Sequence, residues 1–317
     1  MSIAFVFPGQ GSQSIGMGKN FIENFEPARH VMEEVNEALQ QDLTHLILTG
    51  TKEELTLTEN AQPALLAISM AVLRVLEAES GKKASEMAQY MAGHSLGEYT
   101  ALCAAGVFSL QDAVRLVRLR GQAMQKAVPV GKGSMAAIIG LDLKKVESLL
   151  VNFQSADNLC VVANDNTAEQ IVISGHTEAV EMAMALATQA GAKLALKLPV
   201  SAPFHSPLMQ YAADVMKDAL EGTFIDHPKT NVMANVTALP LDGKDSVASL
   251  LVQQITGRVR WRETVANLAQ SGVSVVIEIG AGKVLTGLNK RINTTINAFS
   301  VNEPIDIEKF LECTNSN

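Results

Sequence analysis

Short unbroken apolar runs alternate along this chain with longer stretches in which apolar residues recur every three to four positions. The opening run IAFVF, residues 3 to 7, has no polar interruption, which predicts a strand covered on both faces that enters a turn at PGQGSQ. FEPARHVMEEVNEAL has helical spacing with Phe25, Val31, Val35 and Leu39 turned inward. A second helix is expected in AQPALLAISMAVLRVLEAE, where Pro63 fits the first turn better than the interior. YMAG, at 90 to 93, is a weaker strand signal, and EYTALCAAG reads as a helix ending at Gly106. Ser109 with Asp112 three residues on forms an N-cap pattern for AVRLVRLRGQAMQKAV. Gly121 weakens that helix internally, either as a plain irregularity or as a point of close approach.

The rhythm changes after KAVPVGKG. SMAAIIG, LCVVAND, EQIVISG and AKLALKLPV are strand-like, while LKKVESLLVNF and HTEAVEMAMALATQAG are helix-like. That order is β-α-β-β-α-β from about 134 to 200, a split-βαβ unit. Alternating material resumes in MQYAADVMKDALEG, LLVQQITGRVRWRETVANLAQ and SVVIEIG, so the small unit reads as an insertion. The expected fold class is α/β with three segments: residues 1–130 and 201–317 form a discontinuous large core around a small α+β subdomain at 131–200.

Length and charge narrow the function classes. The 317 residues suffice for a large core, and 47% of them are hydrophobic. With 33 acidic and 25 Lys plus Arg residues, the formal charge of -8 argues against non-specific nucleic-acid binding, though a local basic patch for an acidic partner stays open. No membrane-length apolar run or signal-like N-terminus is evident, so the expectation is a cytoplasmic protein without membrane attachment. Cys103, Cys160 and Cys313 have neither metal-ligand spacing nor a disulfide pattern, and no metal is expected.

The segment MAGHSLGEY places Ser95 between Gly93 and Gly97, a G-x-S-x-G pattern after a strand and before a helix. Such a turn exposes a serine oxygen beside helix N-terminal amides, with the Leu96 N–H as an oxyanion donor. A purely structural turn is the competing reading. A nucleophilic serine needs a base. His205, held between Pro203 and Pro207 at the return to the large core, is the leading candidate, with His227 behind it. His94 is adjacent in sequence without being aimed by adjacency. His30, His45 and His176 carry no further reactive cue, and no aspartate is singled out behind the histidine. Arg120, ending RLVRLRG, offers two parallel donors to a carboxylate. On the residues alone an exposed helix arginine is the leading reading for Arg120, as it is for Arg115 and Arg118. Gly9, Gly11 and Gly16 do not form G-x-G-x-x-G, and GKGS and GAGKVL lack a complete P-loop, so these are read as turns.

Taken together and in order, FPGQGSQ (7–13), QPALLA (62–67), GHSLGEY (93–99), RGQAMQ (120–125), SAPFHSPLM (201–209), NVTA (235–238) and EIGAGKVLTGL (278–288) resemble the malonyl-CoA:acyl carrier protein transacylases of the acyltransferase family. The resemblance spans essentially the whole chain. It implies a hydrolase-like α/β core with a ferredoxin-like insertion, and transfer of malonyl from malonyl-CoA to the phosphopantetheine thiol of acyl carrier protein, with no bound cofactor. By motif it implies Ser95 as nucleophile, His205 as general base and acid, Arg120 as holder of the malonyl carboxylate, and the Gln10 and Leu96 N–H groups as oxyanion donors. Gln254 would orient His205 through its backbone carbonyl, a register that the neighbouring Gln253 makes less distinct. Ala281 stands where the family often has proline. Arg258, Arg260, Arg262, Lys290 and Arg291 are basic candidates for carrier docking. Alternatives are an acyl-ester or thioester hydrolase and an inactive acyl-binding scaffold. Fatty-acid, polyketide and other malonate roles all stay open, as does the oligomeric state, a monomer included.

Overall fold

The computed structural model describes residues 2–200 and 202–315. In chain order its strands are β1 (Ser2–Phe7), β2 (Tyr90–Gly93), β3 (Gly133–Ile139), β4 (Gln154–Ser155), β5 (Asn158–Thr167), β6 (Gln170–His176), β7 (Leu194–Lys197), β8 (Asn231–Met233), β9 (Val273–Ile279) and β10 (Asn297–Val301). They form a parallel sheet in the order β10-β9-β1-β2-β8 and an antiparallel sheet in the order β4-β5-β6-β3-β7.

β1 is central in the parallel sheet, which explains its continuous apolar run. Ile3, Phe5 and Phe7 enter one core and Ala4 and Val6 the other, because successive side chains point to opposite faces. The first core is closed by the Thr58–Ser80 and Leu110–Ala127 helices, the second by the Trp261–Gln270 and Val284–Ile292 helices. Glu278, at the end of β9, accepts from the Leu285 and Thr286 N–H groups at 3.0 and 2.7 Å. The EIGAGK turn is thus a helix cap, with Gly280 at φ 119 and Gly282 at φ 74.

In the small sheet, β3, β5, β6 and β7 with helices Leu143–Leu149 and Thr177–Gln189 form the β-α-β-β-α-β unit in spatial order β5-β6-β3-β7. The two parts make a larger α/β core and a smaller α+β subdomain. They are stitched where β5 ends: Val259 N–H donates to Ala163 O at 2.8 Å and Asp165 N–H to Val259 O at 2.9 Å. The fully buried Asp165 carboxylate also meets Arg262 at 2.8 Å.

Several expectations need correction. The Pro63 helix starts at Thr58, so the proline is interior. Tertiary bonds hold the extra turn: Thr58 donates to the Gln10 side chain at 2.8 Å, and Asn60 to the Glu54 carbonyl at 2.8 Å. This helix is also long and apolar enough to cross a membrane, but most of its residues are buried in the core. Strands β4, β8 and β10 lacked a usable pattern in runs of 2, 3 and 5 residues. Gly121 is a point of close approach: a Cβ there would lie 2.7 Å from Glu59 Cα and from Thr58 O.

Candidate active site

Ser95 sits just beyond β2, next to the loop that leaves the adjacent parallel strand β1. Ligand sites in parallel sheets form at such C-terminal strand ends, where neighbouring loops diverge. The turn is sharp. Ser95 has φ 55, and a Cβ on Gly93 would fall 1.8 Å from the Gly97 carbonyl, while one on Gly97 would fall 2.3 Å from Phe7 O. The two glycines therefore allow the elbow to close on itself and on β1. Asn235, two residues past β8, braces it: its Oδ1 accepts from Ser95 N–H at 2.8 Å and its Nδ2 donates to Gly93 O at 2.7 Å. The N–H groups of Gly97, Glu98 and Tyr99 bond to carbonyls of the same turn, and the Leu96 N–H takes part in none of these bonds.

His205 lies in the loop returning from the small sheet, also at positive φ, 56. Ser201, the first residue of its motif, lies outside the described residues. His205 Nε2 is 2.7 Å from Ser95 Oγ, and Nδ1 is 2.9 Å from Gln254 O and 3.2 Å from Gly257 O. Those carbonyls end the Val247–Thr256 helix, where the last turn lacks intrahelical donors. A carbonyl only accepts, so Nδ1 carries the proton and Nε2 keeps its lone pair toward the serine. Burial first and the Arg120 charge second hold the imidazole neutral, with its pKa lowered to about 3.

Arg120 is buried, at 1% exposure, rather than a surface arginine. Nη1 donates to Gln62 Oε1 at 2.7 Å, and Nη2 to Gln254 Oε1 at 2.8 Å and to Ser95 Oγ at 3.1 Å. Its Nε is buried with no hydrogen-bond partner. Together Arg120, Ser95, His205, Leu96 and Gln10 line one cleft of about 520 Å³, bordered also by Met124, Met135, Asn164 and Phe204. A hollow of about 590 Å³ elsewhere, near Arg74 and Glu77, holds none of these groups. Gln10 Oε1 is occupied by the Thr58 hydroxyl, which fixes this loop beside the cleft.

His94 is next to Ser95 yet turns away, its Nε2 2.9 Å from Asn166 Oδ1 and its ring tilted against Trp261. His30 and His45 face Glu26 and Thr49, His176 Nδ1 accepts from Leu159 N–H, and His227 is exposed. Arg115 and Arg118 bond to Ala38 O and Gln41. Of the docking candidates, Arg258 pairs with Glu147 at 2.7 Å, Arg260 with Glu263, and Arg262 with Asp165, while Arg291 bonds to Gly287 O and Gln170. Cys103 is buried and its thiol pushed up to about 12, which suits packing rather than nucleophilic chemistry. Sequence reasoning missed Gln62, Glu98 and Asn235 as site residues. Glu98 carried one signal, the single charged residue of the EYTALCAAG segment, in the first turn of its helix.

The acyl transferase domain family model matches residues 4–298. A malonyl CoA-acyl carrier protein transacylase of Bacillus subtilis is 45% identical over 306 residues, covering 96% of this chain and 95% of that protein. The protein so named in Escherichia coli K12 is 44% identical, covering 98% of both. Among solved structures, an acyl-carrier-protein S-malonyltransferase from Bartonella henselae superposes with a TM-score of 0.96 at 54% identity, covering 99% of this chain and 100% of that one. A malonyl-transacylase solved with a type II polyketide acyl-carrier protein gives 0.94 at 42% identity, covering 100% of both chains. On its cleft, its fold and this likeness over its whole length, the chain belongs to the acyltransferase family, among the malonyl-CoA:acyl carrier protein transacylases.

Proposed function

We propose that Ser95, His205 and Arg120 carry malonyl transfer from malonyl-CoA to the phosphopantetheine thiol of acyl carrier protein through a malonyl-serine ester. The observation that carries the reading is the convergence of one nucleophile, one neutral base and one buried guanidinium, with Ser95 Oγ 2.7 Å from His205 Nε2 and 3.1 Å from Arg120 Nη2.

In the first half-reaction His205 Nε2 takes the Ser95 hydroxyl proton as Oγ bonds to the thioester carbonyl carbon. The tetrahedral oxyanion is met by the N–H groups of Leu96 and Gln10. Collapse breaks the C–S bond, and His205 returns the proton to the departing coenzyme A thiolate. In the second half the carrier thiol gives its proton to Nε2 and attacks the ester, and Ser95 leaves with that proton restored. Thioester and ester are close enough in energy for reversible exchange, so the cycle requires no metal or bound cofactor. Arg120 binds the distal carboxylate through its guanidinium.

The cleft side chains Met124, Met135 and Phe204 limit water, the nucleophile that would turn transfer into hydrolysis. We place the division of the chain at 1–130, 131–200 and 201–317, supported by the span of the small sheet. Intact-protein mass spectrometry tests the function. Brief exposure to malonyl-CoA adds one malonyl mass, Ser95→Ala gains none, and added carrier collects the mass. An adduct released only as free malonate would make the protein a hydrolase.

A further inference from the structure

Glu98 is 1% exposed and takes no part in the steps above. It lies in the first turn of the Gly97–Ala104 helix, whose N-terminal partial charge favours a carboxylate. Its Oε2 accepts from Gln254 Nε2 at 2.8 Å and from Asn235 N–H at 3.1 Å. Each partner reaches reacting groups. Asn235 brackets the Ser95 elbow. Gln254 supplies the carbonyl on His205, donates from Nε2 to Ser95 O at 2.8 Å, and presents Oε1 to Arg120.

The Gln254 amide explains why this matters. It has two N–H donors and one oxygen, and here one N–H goes to Ser95 O and the other to Glu98. The oxygen is then left for Arg120, whose hydrogen-bond partners, Gln62, Gln254 and Ser95, are all neutral. By accepting from Nε2, the Glu98 side chain fixes which way the Gln254 amide faces and so holds Oε1 toward Arg120. From this juxtaposition we propose that Glu98 is a positioning residue for acyl selectivity: through the Gln254 side chain it anchors Arg120 in the orientation that receives a malonyl carboxylate. The proposal rests on the reading of Arg120 as the carboxylate holder. Burial raises the Glu98 carboxyl, to about 7, yet either protonation state retains an acceptor oxygen for Gln254.

The test is the ratio of Ser95 acylation rates with malonyl-CoA and acetyl-CoA, read by intact mass. Glu98→Leu orphans one buried Gln254 N–H and should lower the malonyl-to-acetyl ratio roughly tenfold. Glu98→Gln keeps an acceptor and should hold the ratio within about threefold. Gln254→Met cuts the link while leaving the backbone carbonyl on His205. It should lower the ratio as Glu98→Leu does, and adding Glu98→Leu to it should change the ratio no further. A merely structural role would slow both donors equally. An unchanged ratio in folded Glu98→Leu overturns the proposal, as does an equal loss in Glu98→Gln. If Glu98→Leu does not fold, an unchanged ratio in Gln254→Met overturns it instead. Arg120→Ala separates the two readings: if it leaves the ratio intact, the carboxylate-holder reading itself fails.

Discussion

Arg120 donates from Nη2 to the Ser95 hydroxyl oxygen at 3.1 Å, from a side chain buried in the core. Once Oγ becomes an ester oxygen it is a poorer acceptor, and the guanidinium is left beside the acyl chain. Malonyl carries a carboxylate beyond its methylene for that guanidinium to pair with, whereas acetyl ends at an uncharged methyl group. Arg120→Ala should therefore cost malonyl loading about 100-fold and acetyl loading much less, before all serine acylation is lost. Arg120→Lys, a point charge without the planar fork, should restore only part of it. Parallel time courses with the two donors check both variants.

Stability should respond to pH in opposite senses at two buried groups. His205 falls from an ordinary 6.5 to about 3, so its contribution is present above 6.5 and is lost as pH falls through 3. Glu98 rises from 4.5 to about 7, so its contribution is present below 4.5 and is lost as pH rises through 7. The native state holds the extra proton at Glu98 in that window, giving a negative slope. Glu98→Gln removes it, and the stability gap between variant and parent should widen in favour of the variant by about 3 kcal/mol between pH 4.5 and 8. Urea unfolding across that range measures it, and parallel profiles would contradict the assignment.

Gly97→Ala sets two effects against each other. Alanine is favoured over glycine in a helix by about 1 kcal/mol. Its Cβ, however, would lie 2.3 Å from Phe7 O, a backbone atom of the central strand that has no flexible end to yield. The clash should win, with a net loss of about 2 kcal/mol and a drop of about 100-fold in acylation as the elbow shifts from His205. A variant as stable and as active as the parent would show that the strand and elbow can separate freely.

Arg262→Ala should destabilise the join between the two sheets. It leaves the fully buried Asp165 carboxylate without its cation, which costs about 3 kcal/mol. Arg262→Ala with Asp165→Asn removes the stranded charge and should recover much of the loss, a contrast that denaturant melts resolve.

Much of this protein was legible before folding. The unbroken run at β1 predicted a strand covered on both faces, the Ser109 and Asp112 cap located a helix start, and the order of elements from 134 to 200 gave the inserted unit. The motif order carried the family and pointed to Ser95, His205 and Arg120 together. Strands β8 and β10 were not legible, because edge strands this short have no periodicity of their own and are held by the register of their neighbours. The residues alone favoured a surface place for Arg120, since charge does not reveal which way a helix faces, and the structure buries it.

The sequence by itself determined that the chain can reverse sharply at Ser95, because Gly93 leaves room for the Gly97 carbonyl to fold back on it. It also determined which side chains were chemically able to act. Tertiary structure decided which of them meet: His205 and not the adjacent His94, and a buried Arg120 and not its neighbours Arg115 and Arg118. It also decided that Glu98, Gln254 and Asn235, separated by as many as 156 positions along the chain, form one hydrogen-bonded support. Hydrogen bonds between side chains depend on atoms within about 3 Å. Sequence spacing fixes such distances within one turn of a helix or strand, whereas across a fold they follow from how the layers pack.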